Sequence, residues 1–145
     1  MSKLPKLVNP KEWPPPSGYS NATVAQGKIV TIAGQIGWDP ITQRLVSDDF
    51  TQQSRQAIAN VLTALEAAGG KAENLVSLTW FITDRDAYLA NTKQIGKAYR
   101  EELGKHYPAM SVIIVAGLLV PGAKVEIEGT AVLTGKRKAN SKKKK

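Results

Sequence analysis

The stretch Val76-Ser77-Leu78-Thr79-Trp80-Phe81-Ile82-Thr83 decides the fold. Its side chains alternate, with Val76, Leu78, Trp80 and Ile82 on one face and Ser77, Thr79, Phe81 and Thr83 on the other, the period of a half-buried β-strand. Helical patterns flank it. Upstream, Asp49 with Gln52 three residues on makes a capping-box start, and Phe50, Ala57, Ile58, Val61, Leu62 and Leu65 recur at helical spacing until Gly69-Gly70. Downstream, Asp84 or Asp86 caps a second helix running towards Leu103 and Gly104, with an apolar stripe of Tyr88, Ile95, Tyr99 and Leu103.

Further out, residues 24–26 and 29–36 flank Gly27-Lys28 as a hairpin, and residues 44–46 form a short strand after the turn Gly37-Trp38-Asp39-Pro40. Residues 110–115 are a β-rich apolar run. After Val120-Pro121-Gly122 the chain alternates again over 123–132, with Lys124, Glu126, Glu128 and Thr130 on its polar side. The order β-β-(β)-α-β-α-β-β predicts an α+β domain, a mixed six-stranded sheet with two helices on one face. Two helices cover one side only. The other face carries Ile, Val and Trp, so its burial against further copies in a closed homo-oligomer is expected.

Composition sets outer limits. The 145 residues fit one domain over 1–135, its first 17 residues irregular where Trp13-Pro14-Pro15-Pro16 imposes extended backbone. The net charge is +8, but residues 136–145 hold seven cations and no acid, which leaves +1 for the other 135 residues. That block is expected to be a disordered tail, either a grip on nucleic acid or a solvated terminus; no aromatic residue interleaves its lysines to stack a base. Cysteine is absent, which excludes thiol catalysis, Cys-based zinc sites and disulfides, and His106 is the only histidine, which excludes a His-pair metal site. There is no apolar leader and no run approaching the ~20 apolar residues of a membrane span, so a soluble cytoplasmic protein without a membrane partner is expected.

Five segments, in order, resemble one family. They are Gly18-Tyr19-Ser20-Asn21-Ala22, the run from Ile32 through Gly34-Gln35 to Asp39-Pro40, the run from Gln53 to Asn60 with Leu65, Ala68 and Gly69, Pro108-Ala109-x-Ser111, and Val125-Glu126-Ile127-Glu128. Together they are similar to the RidA/YjgF group of reactive-intermediate deaminases. The resemblance implies a chorismate-mutase-like homotrimer whose sheets form a barrel with the helices outside. It also implies clefts between neighbouring subunits that bind a small-molecule ligand, and hydrolysis of imines or enamines such as 2-aminoacrylate with no metal or organic cofactor. In that group an arginine pairs with the substrate carboxylate and a glutamate positions the attacking water.

Carried onto this sequence, the glutamate is Glu126 and the ligand-binding glycine and tyrosine are Gly34 and Tyr19, while the arginine position is occupied by Met110. A thioether offers no planar fork of donors, and losing a charge-assisted bond costs about 1.5–3 kcal/mol, roughly 10- to 150-fold in affinity. Small acids of the 2-aminoacrylate kind are therefore not the expected substrate. Gly96, where many members carry asparagine, and the turn Gly117-Leu118-Leu119-Val120-Pro121-Gly122 are further departures.

Each residue keeps a plainer reading. Glu126 is a solvated strand residue or a water-orienting base, Tyr19 an interface aromatic or a ligand contact, Gly34 a strand glycine or part of the site, and Met110 pocket lining. Arg44, Arg55, Arg85 and Arg100 fall on helix faces, a helix start or a turn, with Arg100 read as solvated; His106 is read as an exposed loop residue, and Trp38 and Trp80 as packing or cleft wall. Three functions remain: a hydrolase of imines or enamines, a non-catalytic trimer binding an apolar metabolite, and an RNA-binding or endoribonuclease-like protein aided by the tail.

Overall fold

The computed structural model describes residues 4–134, so the reading of 136–145 as a basic tail lies outside the described residues. The elements are β1 (Lys6–Val8), β2 (Ala22–Val24), β3 (Lys28–Ile36), β4 (Trp38–Asp39), β5 (Arg44–Leu45), α1 (Phe50–Ala67), a 3-10 turn (Ala72–Asn74), β6 (Leu75–Ile82), α2 (Arg85–Ala90), α3 (Thr92–Leu103), β7 (Ala109–Ile114) and β8 (Val125–Leu133). The alternating stretch is β6. It pairs parallel with β7, which requires the crossover that α2 and α3 supply, and antiparallel with β8. With β3 outside β8 the sheet order is β3-β8-β6-β7.

The mixed α+β architecture is as expected, but the sheet has four strands rather than six. The Gly27-Lys28 hairpin does not form. Residues Ala22–Val24 pair instead with Lys6–Val8, inside the segment expected to be irregular, and the Thr23 hydroxyl donates to the Val76 carbonyl at 2.5 Å, anchoring that ribbon to β6. Arg44–Leu45 pairs locally with Trp38–Asp39 as a second two-stranded ribbon. The number of helices also differs. Asn91 divides the expected second helix into α2 and α3, because its side-chain amide donates to the Ala87 carbonyl at 2.7 Å and its own backbone leaves the helical region at φ −121.

Burial sorts the two faces. Ile58, Val61 and Leu65 of α1 and Ile95, Tyr99 and Leu103 of α3 pack on Leu78, Trp80, Ile82, Val125 and Ile127 of the sheet. A register shift between Leu75 and Ser77 puts Leu75 into this core and leaves Val76 half-buried, one departure from the simple alternation. Asp49 caps α1 as expected by accepting from the Gln52 amide at 2.9 Å, while its own N–H goes to the Ser47 hydroxyl.

Two buried polar residues of α1 then fix the loops. The Gln53 amide donates to the Ser47 and Gly122 carbonyls (2.9 and 3.0 Å) and accepts from Lys124 N–H (2.8 Å). Asn60 donates to the Ile36 and Trp38 carbonyls (3.1 and 2.9 Å) and accepts from Gln56 (2.9 Å). One bond set lies two residues before Glu126, the other two residues after Gly34. The helix thus positions Gly34 and Glu126, two of the residues carried over from the family pattern.

Candidate functional site

A cavity of about 600 Å³ opens between the β7 edge of the sheet, α2 and α3, and the loop at Ser17–Tyr19. Met110 and Val112 reach it because they share a face with Leu78 and Trp80, their register partners on β6. The opposite wall is helical. Thr92, Gly96 and Arg100, spaced four apart on α3, line it beside Ile95 and Tyr99. Tyr99 and Tyr107 stack with centroids 5.2 Å apart, and the Tyr99 hydroxyl donates to the His106 carbonyl at 2.6 Å. Burial, reinforced by Tyr107, pushes the Tyr99 phenol far above its usual range, so it serves as a neutral donor.

Arg100 is exposed, as read from the sequence, yet it also faces the cavity. Its guanidinium lies over Gly96, with Nη1 3.2 Å from where a Cβ at that position would stand. Arg55 is engaged elsewhere, pairing with Glu101 at 2.5 Å across α1 and α3, and this hydrogen bond holds the exposed Glu101 carboxyl below its usual range. Neither Arg44 nor Arg85 lines the cavity. His106 is a correction: it is half-buried, and its Nε2 lies 2.7 Å from the Leu75 carbonyl, which as an acceptor requires the proton on Nε2. It braces the β7 approach and does not line this cavity.

Tyr19 and Met110 therefore meet in one place, and Gly34 and Glu126 meet in another. Glu126 opposes Ile36 on β3 and Phe81 on β6, whereas its neighbour Ile127 opposes Trp80. Successive strand residues face opposite ways, so Glu126 stands on the side of the sheet away from Trp80 and Met110. Gly34 lies within the β3 irregularity between Ile32 and Gln35, and a Cβ there would fall 2.5 Å from Glu126 Oε1. Among the described residues the half-buried Glu126 carboxylate makes no ion pair or side-chain hydrogen bond.

The contact predicts a contrast between two glycines. Gly34→Ala should displace the Glu126 side chain and no backbone, leaving the thermal midpoint within a few degrees while changing any activity that needs Glu126. Gly37→Ala would meet the Gln53 backbone and should destabilise by about 1–3 kcal/mol. Thermal unfolding of both variants checks this; equal losses of stability would refute the local reading of Gly34.

Among the described residues no group of three or more acidic or histidine side chains could hold a metal, and no helix is long and apolar enough to cross a membrane. Residues 11–133 match the family model described as Endoribonuclease L-PSP. The 2-iminobutanoate/2-iminopropanoate deaminase of Salmonella typhimurium is 33% identical over 129 residues, covering 89% of this chain and 98% of that protein. The human protein of the same name is 29% identical over 131 residues, covering 90% and 92%. Among solved structures, YyfB of Yersinia pestis, a protein of unknown function of the conserved Rid protein family, superposes with a TM-score of 0.79 at 30% identity, covering 89% of this chain and 98% of that one.

Proposed function

The chain belongs to the Endoribonuclease L-PSP family, the RidA/YjgF group, and on that premise we propose that it hydrolyses imines or enamines in a cleft shared between protomers of a homotrimer. One observation carries the reading: the unpaired Glu126 carboxylate rests against the bare Cα of Gly34, and Met110 lies on the other side of the same sheet. A second copy supplies what one protomer separates, with Glu126 of one chain facing the Tyr19–Met110 cavity of the next. Support for assembly comes from the β7 edge, which beyond a single bridge between Ser20 and Ala109 has no partner strand on its outer side among the described residues and exposes Val112, Ile113 and Ile114.

In such a cleft Glu126 accepts a proton from water as the water oxygen bonds to the imine carbon. The protons pass to nitrogen, the carbinolamine C–N bond breaks, and ammonia leaves a carbonyl behind. One imine and one water thus give one carbonyl compound and one ammonia. An enamine enters the same sequence after protonation at carbon. The chemistry needs a placed carboxylate and water and no redox partner.

Met110 sets the selectivity. Without an arginine at that point, 2-aminoacrylate should be a poor substrate compared with imines whose apolar groups pack on the thioether. The test generates imines in situ with an amino-acid oxidase and measures ammonia and keto-acid release above the spontaneous rate. Acceleration of imines from apolar amino acids is expected, with 2-aminoacrylate slow, and Met110→Arg should raise kcat/KM on 2-aminoacrylate by roughly 10- to 150-fold. If no imine in the panel is turned over faster than in buffer, the hydrolase reading fails and a non-catalytic metabolite binder replaces it.

A further inference from the structure

We propose that Arg100, rather than residue 110, is the anion anchor of the cavity, and that the preferred ligand is an organic acid carrying an aromatic or long apolar group. The proposal rests on the cleft assignment above and deepens it by naming the ligand class. It starts from charge. Of the residues of one protomer that line the cavity, Arg100 is the only charged one; in the proposed cleft the Glu126 of the next copy faces it from the opposite side. Among the described residues the Arg100 guanidinium makes no ion pair or hydrogen bond, and it acts on the neighbouring Glu101 only as the smallest of the charges that lower that carboxyl. A cation with five donors and no acceptor within its own protomer offers those donors to an acid that enters the cavity.

Position 96 explains how the cation gets there. The guanidinium lies across Gly96, and a Cβ at 3.2 Å from Nη1 would already crowd it, so a full side chain at 96 would push it aside. Gly96 thus leaves open the place on the helix wall that the Arg100 guanidinium occupies, across the cavity from Met110.

The remaining wall describes the rest of the ligand. Tyr19, Tyr88, Tyr107, Met110 and Val112 present ring faces and apolar groups, and the buried Trp80 indole N–H has no hydrogen-bond partner among the described residues. A volume of about 600 Å³ falls in the range of sites for drug-sized ligands, far larger than a three-carbon acid fills. With the carboxylate held from α3, an aromatic body lies over Met110 instead of leaving the space to water. The matching substrates of the proposed hydrolase are imino acids with bulky apolar side groups.

Binding tests this without turnover. Phenylacetate and its neutral near-isostere phenylacetamide are titrated into the purified full-length protein by calorimetry, with acetate as the probe lacking the ring. Phenylacetate is expected to bind about tenfold tighter than phenylacetamide, the low end for a charge-assisted bond because Arg100 is exposed, and at least about tenfold tighter than acetate. In Arg100→Gln the acid and amide should bind equally, with the thermal midpoint unchanged because the guanidinium has no protein partner to lose. The anchor assignment is overturned if phenylacetate shows no measurable binding, if acid and amide are equal in the parent chain, or if the preference survives in Arg100→Gln. Acetate binding as tightly as phenylacetate overturns the apolar-body assignment. Absence of imine hydrolysis leaves these ratios intact, so the two readings fail separately.

Discussion

Glu126→Gln should reduce imine hydrolysis by about 10²- to 10⁴-fold, the contribution of a placed general base. The substitution keeps the shape of the side chain and its place between Ile36 and Phe81 in the register, but an amide cannot take the proton from water. Stability should hardly change, because the carboxylate has no ion pair among the described residues to lose. The loss should fall on kcat, with KM little altered, since in the proposed cleft the other wall holds the ligand body and its acid group. Single-turnover ammonia release on a phenylalanine-derived imine measures it; a Glu126→Gln protein within threefold of the parent would exclude Glu126 from the chemistry.

Gln53→Ala should destabilise the protein by about 3 kcal/mol, which at this chain length is a fall of roughly 10 °C in the thermal midpoint. Gln53 is 0% exposed, and truncation leaves the Ser47 and Gly122 carbonyls and the Lys124 N–H without their partner. Gln53→Glu should be worse. A carboxylate cannot donate to the two carbonyls, and it carries a charge into a site with no exposure. Because Lys124 N–H lies two residues ahead of Glu126, activity should fall further than the unfolded fraction accounts for. Urea unfolding with a loss below about 1 kcal/mol for Gln53→Ala would mean that the amide is not the brace the geometry describes.

The sequence carried the parts of this molecule that follow from local pattern. The β6 alternation, the Asp49 cap, the α1 stripe and the α+β class are all readable from spacing. What was not readable depended on long-range partners. The Lys6–Val8 strand is too short and too close to prolines to stand out, and it exists because Ala22–Val24 needs an edge to pair with. Asn91 breaks the second helix through a single amide bond that no periodicity announces. At the site, Tyr19 with Met110 and Gly34 with Glu126 came from a family pattern, but only the register places the two pairs on opposite faces. Arg100 was visible yet looked like an ordinary helix cation. Its signal was the Thr92-Gly96-Arg100 spacing, which gains meaning only once α3 is known to face the Met110 strand.

Because the sheet separates Glu126 from Met110, the proposed function needs a cleft shared between copies, and mixing two defective chains measures it directly. Glu126→Gln lacks the base, and Met110→Trp fills the cavity; neither alone should hydrolyse a phenylalanine-derived imine. Co-expressed and purified together, they should recover a substantial fraction of the parent rate, because one boundary in a mixed assembly joins an intact Glu126 to an intact cavity. Mixed assemblies no more active than either variant alone would show that the two walls do not meet across a subunit boundary.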